Sequence, residues 1–199
     1  MKNYLLLLFA TILLSCKKEE PATTVDLLST PLESTPIGFT GNVGNNYLYF
    51  SNSSTQSYGS MGVYTFENIL SGNTANLYLV NSINFLTSEN IHVTDSEFYN
   101  YFKLIDYEYM NEYVADDITQ NQYKVGLLLS TPNEGYQSYH ALNHSPKSHF
   151  TLLDTVHTTH QNKTAVKYRA KFECTMLDGP QGDSIRVENG VIVGLFVKP

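Results

Sequence analysis

VKYRAKFECTM, residues 166–176, alternates between apolar and polar side chains along its whole length. Successive side chains of a β-strand point to opposite faces of the sheet, so a period of two places one set of residues against a core. Here the apolar set is Val166, Tyr168, Ala170, Phe172, Cys174 and Met176. The stretch therefore predicts a strand that is buried on one face and solvated on the other.

The flanking segments extend this strand into an antiparallel meander. Residues 150–158 are rich in Thr, Leu and Val, and a polar stretch after them can turn the chain back. Downstream, residues 184–188 and 191–197 have strand composition. Asn189-Gly190 lies between them, and this dipeptide tolerates the positive φ angles of a tight hairpin. We therefore expect three further strands, the last two joined by a hairpin at Asn189.

The first half of the chain has one helix signal among short strand-like segments. Thr94 and Glu97 make a capping box, after which Phe98, Phe102 and Ile105 recur at helical spacing. Beyond Ile105 the tyrosines fit a period of two nearly as well as a continued helix. Segments of strand composition lie at residues 46–51, 63–66, 76–80 and 123–130. The predicted fold class is mainly β, an antiparallel β-sandwich or partly closed barrel with one short helix.

The N-terminus carries an apolar run that is too short to span a membrane. Residues 4–14 are eleven residues without a charge, preceded by Lys2, whereas a spanning helix needs about 20 apolar residues. A positive start, a short apolar middle and a small residue before a cleavage point are typical of a secretory signal peptide. An N-terminal core helix would need a polar face, and the run offers only Thr11. We expect residues 1–15 to be a signal peptide.

Leu13, Leu14, Ser15 and Cys16 resemble the lipobox of bacterial lipoproteins. The resemblance implies that the Cys16 thiol is acylated and anchors the protein in a membrane through lipid chains. Lys18, Glu19 and Glu20 also resemble the signal that sends lipoproteins of Bacteroidota-type bacteria to the outer face of the outer membrane. The expected location is therefore the outer membrane, exposed at the cell surface, with its periplasmic face as the alternative.

A second resemblance lies near the C-terminus. Phe172, Cys174, Met176 and Leu177, followed by Ile185, Val187, Asn189 and Gly190, are similar to a strand-loop-strand pattern of Bacteroidota-type lipoproteins of unknown function. The pattern brings no catalytic residues with it. It implies the same antiparallel meander that the alternation indicates.

Composition sets the domain organisation and narrows the partners. Residues 16–36 contain three prolines among Ser, Thr and acids, which favours a lipidated, flexible tether. Residues 37–199 are long enough for a single β-rich globular domain. Residues 37–134 hold ten acids against two basic residues, and the whole chain has a net charge of −7, which argues against binding nucleic acid. The chain has two cysteines, so acylation of Cys16 leaves Cys174 without a disulfide partner.

Two clusters of polar residues could carry chemistry. Five histidines (His140, His144, His149, His157 and His160) surround Asp154 and suggest a metal site, although they fit polar loops and outer strand faces better. A basic stripe follows one strand face through Lys167, Arg169 and Lys171, with Lys163 nearby in the turn. It could bind an anionic glycan, a lipid headgroup or a partner protein, or it could be an ordinary solvated face.

The stretch GYQSYHALNH, residues 135–144, is the predicted ligand-binding loop. Aromatic, amide and imidazole groups that could stack on sugars or peptides are Tyr136, Tyr139, His140, Asn143 and His144. Prolines on both sides favour a long excursion from the sheet. The alternative is that the tyrosines cover the end of the core.

The sequence contains no catalytic motif and implies no cofactor. Cys174 lies in the apolar set of its strand, where a thiol acts as a small hydrophobe rather than a nucleophile. We therefore expect a non-catalytic binding or assembly module of the cell envelope that takes a glycan, a peptide or a partner lipoprotein. Two alternatives remain open, an envelope hydrolase that uses scattered Asp and Glu residues and a His-based metal-binding lipoprotein.

Overall fold

A computed structural model describes residues 26–60, 63–72, 75–84, 94–102, 104–109, 124–138, 147–178 and 182–198. Within these residues the protein is mainly β with one helix, as the sequence predicts. The strands are β1 (Gly38–Val43), β2 (Asn46–Phe50), β3 (Asn52–Ser60), β4 (Val63–Ser71), β5 (Asn76–Asn84), β6 (Asp106–Tyr109), β7 (Lys124–Ser130), β8 (Gly135–Ser138), β9 (His149–His160), β10 (Lys163–Asp178) and β11 (Ser184–Val197).

The strands form one large sheet that curls on itself. Its order is β2-β1-β11-β10-β9-β6-β7-β5-β4-β3, and all neighbours are antiparallel except β6 and β7. Strand β8 pairs with both β10 and β7, which closes a ring through β9 and β6. From the far end of the sheet, the Asn68 side chain of β4 accepts a 2.7 Å hydrogen bond from the Leu195 amide of β11. The architecture is a partial ring of strands rather than a regular barrel.

The core lies on the inner face of β10, as the alternation predicts. The six apolar residues from Val166 to Met176 are all buried. Tyr168 stacks on Phe196 with ring centroids 4.3 Å apart, and Phe196 in turn stacks on Phe102 at 4.6 Å. The turn expected before this strand is also present, with Gln161 and Asn162 at positive φ.

The expected hairpin at Asn189 is wrong, because β11 runs through it as one strand. Phe172 pairs with Gly190 and Cys174 pairs with Val187, so β11 carries one extra residue here. This β-bulge places Asn189 at a φ of 52°. An extra residue reverses the alternation of faces. The two predicted strands therefore form one continuous strand, although its core-facing residues have odd numbers before the bulge and even numbers after it.

The helix is shorter than its spacing predicts. Helix α1 spans Asp95–Tyr101 and begins with the predicted capping box, in which Thr94 and Glu97 bond each other's backbone amides. Phe98 and Phe102 are buried, but Ile105 lies outside the helix and is 39% exposed. Tyr107 and Tyr109 adopt the period of two in β6, and Tyr113 lies outside the described residues. The part of the chain that the structure describes contains no helix with the length and apolarity of a membrane span.

The predicted tether is wrong over its second half. Residues 26–36, called the strap below, fold across the outer face of β10 and β11. Leu27 and Leu32 are buried against Val191 and Val193. Burial of two leucines is enough to hold this polar segment in place, because the strand beneath it already carries apolar side chains on its outer face. Composition alone does not show this. Residues 16–25 of the predicted tether, together with Cys16 and the signal peptide, lie outside the described residues.

Candidate functional site

The strap occupies half of the predicted basic stripe. The Lys167 ammonium donates to the backbone carbonyls of Thr35 at 2.6 Å and Glu33 at 3.0 Å. Burial under the strap lowers the pKa of Lys167. These contacts attach the strap to β10, so this cation is not free to bind an external anion.

Arg169 is the second basic residue under the strap. Its Nη2 donates to the Thr30 carbonyl at 2.6 Å and to the Thr35 hydroxyl at 2.8 Å, and its Nη1 lies 3.3 Å from the Asp154 carboxylate. The prediction of a continuous basic stripe is therefore wrong in the middle, because Lys167 and Arg169 bind the chain's own segment. Lys163 and Lys171, at the two ends, remain exposed.

A cleft of about 290 Å³ opens on the outer face of the sheet, between Leu28 near the start of the strap and the bulge in β11. We call it the bulge cleft. Its apolar lining comes from Leu28 of the strap, Phe172 and Val191. Its polar lining comes from His149, Lys171, Glu173 and Asn189, and Gly190 of β11 completes it. Three strands and the strap thus contribute to one concave surface.

The charged groups of the bulge cleft differ in what they already bind. Glu173 is 3.0 Å from Nη2 of Arg186. Arg186 also donates to the Lys147 carbonyl at 2.5 Å and to the Ser148 hydroxyl at 2.9 Å. The Lys171 side chain is exposed and has no hydrogen-bond or ion-pair partner in the described part of the chain. Lys171 is therefore the cation that the cleft offers to a ligand.

Tyr136 lies in a strand and not in the expected loop. It belongs to β8, pairs with Leu129 and Asp178, and is only 8% exposed. Its hydroxyl donates to the carboxylate of Glu134. The Tyr136 ring is therefore packed within the sheet and is not displayed on an exposed loop. The other predicted ligand-binding residues, Tyr139, His140, Asn143 and His144, lie outside the described residues.

Tyr136 nevertheless lines a second concave surface, a cleft of about 220 Å³ that we call the mouth cleft. It lies between the β1–β2 hairpin, the β7–β8 hairpin and the start of β11. Its aliphatic lining is Val43, Leu48, Ala75, Leu129 and Ile185, and its polar lining is Asn46, Thr131, Glu134 and Tyr136. No local sequence pattern indicates this site, because its residues come together only through the register of distant strands.

The described histidines do not converge. Among the residues that the structure describes, no group of three His, Cys, Asp or Glu side chains could hold a metal ion. His157 instead stacks on Tyr99, with ring centroids 3.7 Å apart. His140 and His144 lie outside the described residues.

Cys174 is buried in the core, as the alternation predicts, and burial raises its pKa to about 12. A thiol with this pKa is protonated at neutral pH and cannot act as a nucleophile. Several carboxylates are likewise held by structural partners: Asp95 by Lys198, Glu97 by Thr94, Asp106 by Thr151, Asp154 by Arg169, and Glu173 by Arg186.

Comparison of the chain with protein-family models, with curated proteins and with solved structures found no match in any of the three.

Proposed function

We propose that the protein is a lipid-anchored, non-catalytic binding module of the bacterial cell envelope, and that the bulge cleft binds an acidic glycan. The anchor rests on the lipobox-like residues that end at Cys16, and the outer-membrane location rests on the charged residues after it. The single observation that carries the binding site is the ammonium of Lys171, which has no partner among the described residues and lies beside the apolar surfaces of Leu28 and Val191.

A carboxylate on the ligand matches the charge that the cleft leaves unsatisfied. The neighbouring cations on the same side of β10 are already bound, Arg169 to the strap and Asp154, and Arg186 to Glu173. An acidic group would therefore meet Lys171, a compact ammonium that can donate three hydrogen bonds.

The remaining polar groups favour a sugar over a purely apolar ligand. His149 and Asn189 line the cleft and can each donate and accept hydrogen bonds, as sugar hydroxyl groups require. Their positions are set by paired strands rather than by a free loop, because His149 begins β9 and pairs with Glu173. Asn189 is fixed by the bulge.

A binding role also agrees with the state of five of the described acids and of Cys174. The carboxylates named above stabilise the fold through specific partners, and the thiol is protonated and enclosed. These groups would have to leave their partners or the core before they could take part in hydrolysis. Binding at Lys171 requires no such rearrangement.

The test is a comparison of Lys171→Met with Lys163→Met. Lys163 lies on the same face of the same strand and is also exposed, but it does not line the bulge cleft. Immobilised oligosaccharides that contain glucuronic acid should capture the detergent-solubilised wild type and Lys163→Met equally. They should capture Lys171→Met at least tenfold more weakly.

Neutral oligosaccharides of the same length provide the second arm. They should bind at least tenfold more weakly than the acidic ones, because they cannot pair with Lys171. Equal capture of acidic and neutral sugars, or an unchanged Lys171→Met, would contradict the proposal. Capture of acidic peptides but not of acidic sugars would reassign the ligand class.

A further inference from the structure

The mouth cleft combines an aliphatic interior with one fixed carboxylate. Val43, Leu129 and Ile185 come from three different strands and line its interior. Ligand pockets are typically concave surfaces that combine an apolar lining with a few fixed polar groups. Among the residues that the structure describes, no Lys or Arg lines this cleft.

The carboxylate of Glu134 lies on a rigid hairpin. The Thr131 amide donates to the Glu134 carbonyl at 2.8 Å, and the Glu134 amide donates to the Thr131 hydroxyl at 3.0 Å. The Tyr136 hydroxyl donates to the Glu134 carboxylate, which fixes the side chain as well. An ionised carboxylate can accept about four hydrogen bonds, so Tyr136 leaves most of this capacity free.

The surroundings of Tyr136 are strongly negative. Its hydrogen bond to Glu134, its burial and the nearby charges of Glu134, Asp178 and Asp183 raise its pKa to about 12. A phenol with this pKa remains protonated at neutral pH, so it continues to donate to Glu134 and its oxygen remains an acceptor. A positively charged ligand is therefore complementary to this end of the domain.

We infer that the mouth cleft binds an aliphatic ammonium group. The methylene chain would lie against the aliphatic lining, and the ammonium would donate to the Glu134 carboxylate and the Tyr136 oxygen. Two sources share this chemistry, a free alkyl diamine and a lysine side chain of a peptide.

This site is independent of the bulge cleft. The two clefts share no lining residue. Ile185 pairs with Met176 of the core, whereas Val191 packs under the strap on the opposite face of β11. Failure of one proposal therefore leaves the other standing.

The experiment titrates the detergent-solubilised full chain with 1,5-diaminopentane by calorimetry, with 1-pentanol as a neutral ligand of the same chain length. Glu134→Gln removes the charge and keeps the shape, and Tyr136→Phe keeps the buried ring and removes the hydroxyl. Glu188→Gln is the matched control, because Glu188 is an exposed acid of β11 that lines neither cleft.

Wild type and Glu188→Gln should bind the diamine equally, and Glu134→Gln should bind it at least tenfold more weakly. Tyr136→Phe should weaken binding by a smaller factor. A peptide containing one lysine, compared with the same peptide containing norleucine, identifies the source: binding of the lysine peptide assigns a side-chain ligand, and binding of the diamine alone assigns a free amine. Equal affinity of Glu134→Gln and wild type, equal affinity for pentanol and diamine, or no binding of either amine would overturn the inference.

Discussion

Arg169→Ala should loosen the strap and destabilise the domain by about 2–3 kcal/mol. Arg169 is 7% exposed and bonds three groups, the Thr30 carbonyl and the Thr35 hydroxyl of the strap and the Asp154 carboxylate of β9. Removing one partner of a fully buried ion pair costs about 3–5 kcal/mol, because the other charge is left without solvent.

The expected loss is smaller here because the groups left behind keep other contacts. The Thr35 hydroxyl also bonds the carbonyls of Thr30 and Pro31, at 3.2 and 2.9 Å. The Asp154 side chain is 41% exposed, so water can replace the guanidinium. Burial of Leu27 and Leu32 continues to hold the strap until it opens as a unit.

Urea denaturation followed by circular dichroism measures this loss, and the melting temperature should fall by about 5–10 °C. Lys171→Ala is the control on the same face of the same strand, and it should change stability by less than about 0.5 kcal/mol. Chymotrypsin should also cleave after Leu27 or Leu28 faster in Arg169→Ala. A loss equal to that of Lys171→Ala, with unchanged cleavage, would refute the structural role of Arg169.

Three further outcomes test separate features of the chain. Cys174 should resist thiol reagents at pH 8 in the folded protein and react after denaturation, because burial raises its pKa to about 12; rapid labelling of the native protein would contradict its burial. Asn189→Val should cost about 1–3 kcal/mol more than Asn189→Gly in urea denaturation, since a β-branched residue is strained at a φ of 52°, and equal stabilities would argue against the bulge. Cys16→Ala should leave an unacylated precursor with its signal peptide retained, and incorporation of labelled palmitate into this variant would exclude Cys16 as the lipidation site.

Local patterns predicted the elements whose signals lie within a few residues. The alternation around β10 gave the correct buried face, and the capping box at Thr94 gave the correct start of the helix. Asn189-Gly190 was misread because positive φ serves a bulge as well as a hairpin. Only the pairing of β11 with β1 and β10 distinguishes the two.

The candidate sites depend on contacts that no local pattern contains. Lys167 and Arg169 had the spacing of a solvated stripe, but a segment more than a hundred residues earlier in the chain supplies their acceptors. Tyr136 was predicted wrongly as part of a loop, since a four-residue strand bridging two others leaves almost no periodicity, and its predicted role in ligand binding stays a prediction. Lys171 belonged to the predicted stripe, but its role depends on the bulge beside it.

The docked strap also limits how far the domain can stand from the bilayer if Cys16 carries the lipid. A fully extended chain advances about 3.5 Å per residue, so the ten steps from Cys16 to Asp26 span at most about 35 Å. A tether that continued to Ile37 would span about 70 Å. Because Leu28 lines the bulge cleft, that cleft would stay within roughly the same short height above the lipid headgroups. The protein would then select ligands that lie at the membrane surface, and releasing the strap would double its reach.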